Sequence, residues 1–196
     1  MAIVVVGFGL ATPANAVVGD LTTVAGSPTG QFGYLDAQGT NARFKGGAQL
    51  AVFGGFTYVA DFANNAVRRI DGSGNVTTWP SGYTSFNFPT GLAVDTGGNV
   101  YVGNPVGNTV QKIDTAGIVT TVAGTGAAGS NDGAAGAAVT QATFNLPQGL
   151  LFDATSNSLY IADSLGGSNP PTQPRDQYRH HACRWRPRSG KVDDPI

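Results

Sequence analysis

Short apolar runs recur along this chain, each closed by Gly, Asn or Asp. The runs are too short for helices and carry no 3.6-residue period, so they predict β-strands. Two stretches repeat the pattern in full. YVADFANNAVRRIDGSGNVTTW, from Tyr58, aligns without a gap to YVGNPVGNTVQKIDTAGIVTTV, from Tyr101. Tyr58 pairs with Tyr101, Asn65 with Asn108, Val67 with Val110, and Ile70-Asp71 with Ile113-Asp114. A further copy opens at Leu159 with LYIAD. Another strand precedes each Tyr: AQLAVF at Ala48, GLAVD at Gly91 and GLLFD at Gly149. Upstream of these, Phe44, Phe88 and Phe144 take one repeat position. LTTVAG at Leu21 matches VTTVAG at Val119 and stands as the last strand of a unit whose earlier part is absent.

Each unit thus predicts four strands. The turns between them carry Gly54-Gly55 and Gly97-Gly98, then Asn64-Asn65 and Gly107-Asn108, then Gly72-Ser73-Gly74 and Thr115-Ala116-Gly117. Gly and Asn supply the positive φ that tight hairpins need. The strands are apolar at both parities, as expected of sheets covered on both faces. Four antiparallel strands every ~40 to 45 residues predict an all-β chain of propeller blades. Two connectors, 25–43 and 123–143, are long and rich in Gly and Ala, so they read as mobile low-complexity linkers, with binding loops as the alternative.

FPTGLAVDTGGNVYVGNPVGNTVQKIDTAGIVTTVAG, from Phe88, resembles an NHL repeat, the module of NHL-type β-propellers. The resemblance covers roughly residues 20 to 166 and implies an incomplete ring of about three blades, where members of the family usually close about six. It implies a scaffold that binds an unknown protein or glycan ligand. It also carries a second expectation, since hydrolases and lyases occur on this architecture with a metal on the propeller axis.

Candidate chemistry is sparse. Asp61, Asn104 and Asp163 occupy one repeat position at the end of the second strand, and a ring of them could offer oxygen ligands to a cation. Their recurrence in every unit instead favours a turn-capping role, because every blade needs a turn and a ligand site does not recur that way. Asp71 with Asp114, and Asp95 with Asp153, read as turn caps too. Arg68-Arg69 reads as a charged blade edge that discourages strand addition. Between residues 20 and 166 there is no His, Cys or Glu, which leaves Asp and Tyr for acid–base work. No catalytic residue and no cofactor are therefore predicted.

Charge changes the picture only at the end of the chain. The net charge is −1, which gives no reason to expect nucleic acid as a partner. Residues 167–196, however, hold both histidines, the lone cysteine and six of the eleven basic residues. His180-His181-x-Cys183 could read as soft metal ligands, and RHHACRWRPR as a basic patch. The repeat calls for an N-x-V-x-x-I-D strand here, so the abrupt shift in composition reads foremost as a break in the reading frame, and next as a disordered tail. At the other end, AIVVVGFGL followed by Ala14-Asn15-Ala16 resembles a signal peptide over 1–16, too short to span a membrane. A secreted or periplasmic location follows, with a buried strand as the alternative reading of that run. An open arc of blades leaves an apolar face at each end, so the chain is expected to be a fragment of a longer protein, or to fold poorly, and to self-associate if the ring stays open.

Overall fold

The computed structural model describes residues 2–6, 21–132, 139–166, 181–185 and 192–193. Fourteen strands run through them: β1 Ala2–Val6, β2 Leu21–Gly26, β3 Gly47–Phe53, β4 Phe56–Asp61, β5 Ala66–Ile70, β6 Val76–Thr78, β7 Leu92–Val94, β8 Val100–Asn104, β9 Thr109–Ile113, β10 Val119–Ala123, β11 Pro147–Asp153, β12 Ser158–Asp163, β13 His181–Trp185 and β14 Val192–Asp193. They form three four-stranded antiparallel sheets in sequence order, β3 to β6, β7 to β10 and β11 to β14, plus the pair β1–β2. The protein is a partial β-propeller of three such blades. Among the described residues the only helical elements are single 3-10 turns, and none is long and apolar enough to cross a membrane.

The repeat in sequence is a repeat in register. Thr57 pairs with Ile70 and Val100 with Ile113. Asn65 and Asn108 turn the chain at φ 53° and 49°, and Gly74 and Gly117 at 80° and 85°, where a short polar side chain or none is tolerated.

Blades stack through one recurring apolar layer. Tyr58, Ala60 and Val67 of the first blade face Leu92, Val100, Val102 and Ile113 of the second. Ala93, Tyr101 and Val110 of the second face Leu150, Leu159 and Ile161 of the third. Each layer is closed from above by a phenylalanine ahead of the inner strand. In the middle blade that residue is Phe86, 2% exposed, rather than Phe88, which is 44% exposed. FNFP and FNLP are therefore the matching segments, with Phe86 at the station of Phe44 and Phe144. Phe88 takes the next-but-one station with Gly46 and Leu146, and all three have positive φ.

Other expectations are corrected. Arg68 and Arg69 lie on β5, between β4 and β6 and not at an edge. Arg68 is fully buried. Arg69 lies over the rings of Phe56 and Trp79, with its guanidinium carbon 4.5 and 4.3 Å from their centroids. The first connector is no loose linker either: Gly39 and Val76 donate backbone hydrogen bonds to Gly74 and Ala37 respectively, at 2.8 and 2.9 Å, and the segment lies along β6. The second connector closes on itself through Thr143 N to Asn131 O, 2.8 Å, with residues 133–138 outside the described set.

At the chain ends, β1 pairs with β2, so the Ala2–Val6 part of the apolar run takes the strand conformation that was its alternative reading. The cleavage motif Ala14-Asn15-Ala16 and the histidine His180 lie outside the described residues. β13 pairs with β12 where the repeat calls for a third strand, although its sequence does not follow the repeat.

Candidate functional site: a repeated polar clasp

The second strand of each blade ends on a side-chain oxygen that reaches back to the segment leading into the inner strand. Asp61 Oδ1 accepts from Lys45 N at 2.7 Å, Asn104 Oδ1 from Asn87 N at 3.2 Å, and Asp163 Oδ1 from Asn145 N at 2.7 Å. In each case the donor is the residue after the buried phenylalanine. All three side chains are buried. Each of the three closes its own blade. Among the described residues no cluster of three His, Cys, Asp or Glu side chains forms that could hold a metal.

The remaining polarity of each clasp is met differently. Asp61 Oδ2 accepts from Asn64 Nδ2 at 2.8 Å and from Arg68 Nη1 at 3.0 Å. Arg68 also pairs with Asp36 and donates to the carbonyls of Arg43 and Leu35, both at 2.9 Å. The rings of Tyr34 and Phe44 lie 4.9 and 5.0 Å from its guanidinium carbon. A buried cation is tolerable only when its charge is paired, as here. Both terminal nitrogens of Arg68 have acceptors, while its Nε has none among the described residues. In the middle blade a neutral pair replaces the ionic one, with Asn104 Nδ2 donating to Gln111 Oε1 at 3.0 Å. In the last blade, β13 places Cys183 opposite Ile161, at the station Arg68 holds opposite Val59. Burial pushes the Asp163 carboxyl up to about 6, partly offset by the Asn145 hydrogen bond.

Asp36 was not legible as part of a site. It bridges the first connector to the first blade, accepting from Thr78 N at 2.9 Å and from Thr78 Oγ1 at 3.1 Å as well as from Arg68. One signal was available: residues 68 and 111 are Arg and Gln where residues 61 and 104 are Asp and Asn, so the charges change together. The pinned connector carries Phe32, Tyr34 and Leu35 on its surface, 71%, 47% and 50% exposed.

The other aspartates close turns. Asp71 Oδ1 accepts from Ser73 N and Asn75 N, Asp95 Oδ1 from Gly97 N and Asn99 N, and Asp114 Oδ1 from Ala116 N and Ile118 N, all at 2.9 Å. Asp153 Oδ1 accepts from Thr155 N at the same distance. Burial, with the charge and hydrogen bond of Asp95, pushes the Tyr101 hydroxyl well above the usual phenol range, which keeps it protonated. On the inner side, Gln49 joins the first and third blades, with Nε2 donating to Leu150 O at 2.9 Å and Oε1 accepting from Leu92 N at 3.2 Å. Inner-strand backbones also approach closely at Gly91, where a Cβ would stand 2.5 Å from Gln148 O.

Residues 81–165 match the Teneurin NHL domain. No curated protein sequence matches the chain. Among solved structures, a protein of unknown function from Bacteroides thetaiotaomicron is 25% identical, with a TM-score of 0.58 over 78% of this chain and 39% of its own. The nidogen–laminin complex gives 14% identity and a TM-score of 0.55, over 76% of this chain and 47% of the matched one. A gluconolactonase from Xanthomonas campestris gives 16% and 0.54, over 81% and 48%. At those identities the last two show a shared fold alone. The chain spans less than half the length of each of these structures.

Proposed function

From the premise that this chain is built of NHL-type propeller blades, we propose that it is a binding scaffold, exported from the cytoplasm, that offers its first connector to a protein or glycan ligand. The observation that carries this reading is the pairing of rigidity with exposure at residues 32–36. Asp36 ties the connector to Arg68 and Thr78, while Phe32 and Leu35 beside it stand open to solvent. Aromatic and branched side chains held on an ordered loop lose little entropy on binding, and a rigid ring stacks on a sugar face or fills a protein pocket. The carboxylates speak against a hydrolase or lyase, since each one named above is engaged in a clasp or turn.

The test is binding of the purified chain to arrayed glycans and displayed extracellular domains, repeated with Phe32→Ala/Leu35→Ala. A ligand bound by the parent chain and lost by the variant supports the reading. A ligand bound equally by both contradicts the assignment of this surface. Export is tested separately by mass spectrometry of the chain recovered from a secreting host. A mature N-terminus at Val17 is expected, whereas retention of Ala2–Val6 contradicts it.

A further inference from the structure

The three blades present one repeat position in two environments. Leu92 and Leu150, on the inner strands of the second and third blades, are 1% and 4% exposed because the preceding blade covers them. Leu50, which pairs with Val59 as Leu92 pairs with Val102, is 44% exposed, and Val52 on the same face is 73% exposed. Ala25, Ala42 and Phe44 cover the outer part of that face and leave the inner strand open.

The opposite face shows the converse. Tyr58 and Tyr101 are 6% and 1% exposed beneath the following blade, while Tyr160 at the same station of the last blade is only partly covered. Ala60 is fully buried, whereas Ala162 is exposed. Leu151 is 64% exposed where Ala93 is 5%.

We propose that the open inner strand of the first blade is covered by the last blade of a second copy of this chain, joined head to tail. The occupant follows from the contacts already inside the molecule. Every blade-to-blade layer sets a trailing face bearing Tyr58 or Tyr101 against a leading face bearing Leu92 or Leu150. Among the described residues one copy carries an uncovered example of each face, so two copies continue a layer that the chain makes twice within itself. The two faces differ, so the contact is heterologous. Burial of apolar surface at ~25 cal/mol per Å² drives it.

The test is light scattering on the whole purified chain over a concentration series, with Leu50→Asp and Leu151→Asp made separately and then mixed. The parent chain is expected at twice the 20.0 kDa of one copy, or a higher multiple. Each variant alone is expected to have the mass of a single copy, since one half of the contact is spoiled. An equimolar mixture is expected to recover pairs, because Leu50 of one variant meets Leu151 of the other. A parent chain of single mass at every concentration overturns the proposal. So does association that persists in both variants, or a mixture that stays single. If an aspartate variant fails to melt cooperatively, Leu50→Thr and Leu151→Thr carry the same comparison.

Discussion

Arg68 shows how one buried charge organises its surroundings. It is out of water, flanked by two rings, and bound to Asp61, Asp36 and two carbonyls. Removing it leaves the Asp61 carboxylate buried without a countercharge. Arg68→Ala is therefore expected to lower stability by about 3–5 kcal/mol in urea titration. The double variant Asp61→Asn/Arg68→Gln copies the Asn104–Gln111 pair of the middle blade and is expected to recover most of that loss.

Asp163 makes the complementary case, a buried carboxylate in the blade whose third strand holds Cys183 at the station of Arg68. Its folded-state value is raised to about 6 from an ordinary 3.8. Below pH 4 the group is protonated in both states and imposes no penalty. Between about pH 4 and 6 the unfolded chain ionises first, so stability falls as pH rises, and above that it levels off. Asp163→Asn retains the oxygen that accepts from Asn145. It is expected to abolish that fall and to raise stability at pH 7 by on the order of 2 kcal/mol, read from urea melts across the pH range.

At the scale of the element, the second turn of each blade does two jobs. Asn108 turns the chain at positive φ, and its Oδ1 accepts from Leu146 N of the next blade at 3.2 Å, as Asn65 does from Phe88 N at 3.1 Å. Asn108→Gly keeps the turn and removes the latch. A loss of about 1 kcal/mol is expected in thermal or urea melts, while an unchanged melt would mean that the turn alone matters. The turn was legible in the sequence because Gly and Asn mark positive φ locally. The latch was not, because its acceptor and donor lie 38 residues apart. The same reason explains the strands that were read correctly and the connector that was not. Tyr58-to-Thr78 repeats at Tyr101-to-Thr121, so local periodicity exposes it, whereas Asp36 is tied down by a partner 32 residues away. Phe86 and Phe88 both precede the same inner strand, so the sequence does not separate them, and packing shows that the buried ring is Phe86. The turn aspartates were legible because each bonds backbone within four residues. In the sequence Asp61, Asn104 and Asp163 look like turn caps; in the structure their Oδ1 atoms accept from backbone of the segment before the inner strand, and Asp61 also meets the turn behind it through Asn64 Nδ2.

At the scale of the whole molecule, the described residues form three blades stacked through one repeated layer, covered in the middle and open at both ends. In such arrays, stability is dominated by contacts between neighbours. The middle blade has a neighbour on each face, and every residue of β8 is buried. Its amides should therefore open only with the global transition, while those of β3 and β11 exchange through smaller openings. Gln49, which bridges the inner strands of the first and third blades, links the two ends without covering their outer faces.

Native-state hydrogen exchange on the Leu50→Asp variant, which keeps copies apart, tests this most directly. Protection greatest in β8 and β9 and declining toward both β3 and β11 is the predicted profile. Maximal protection in a terminal blade, or equal protection across all three, would contradict the stacked and open-ended arc.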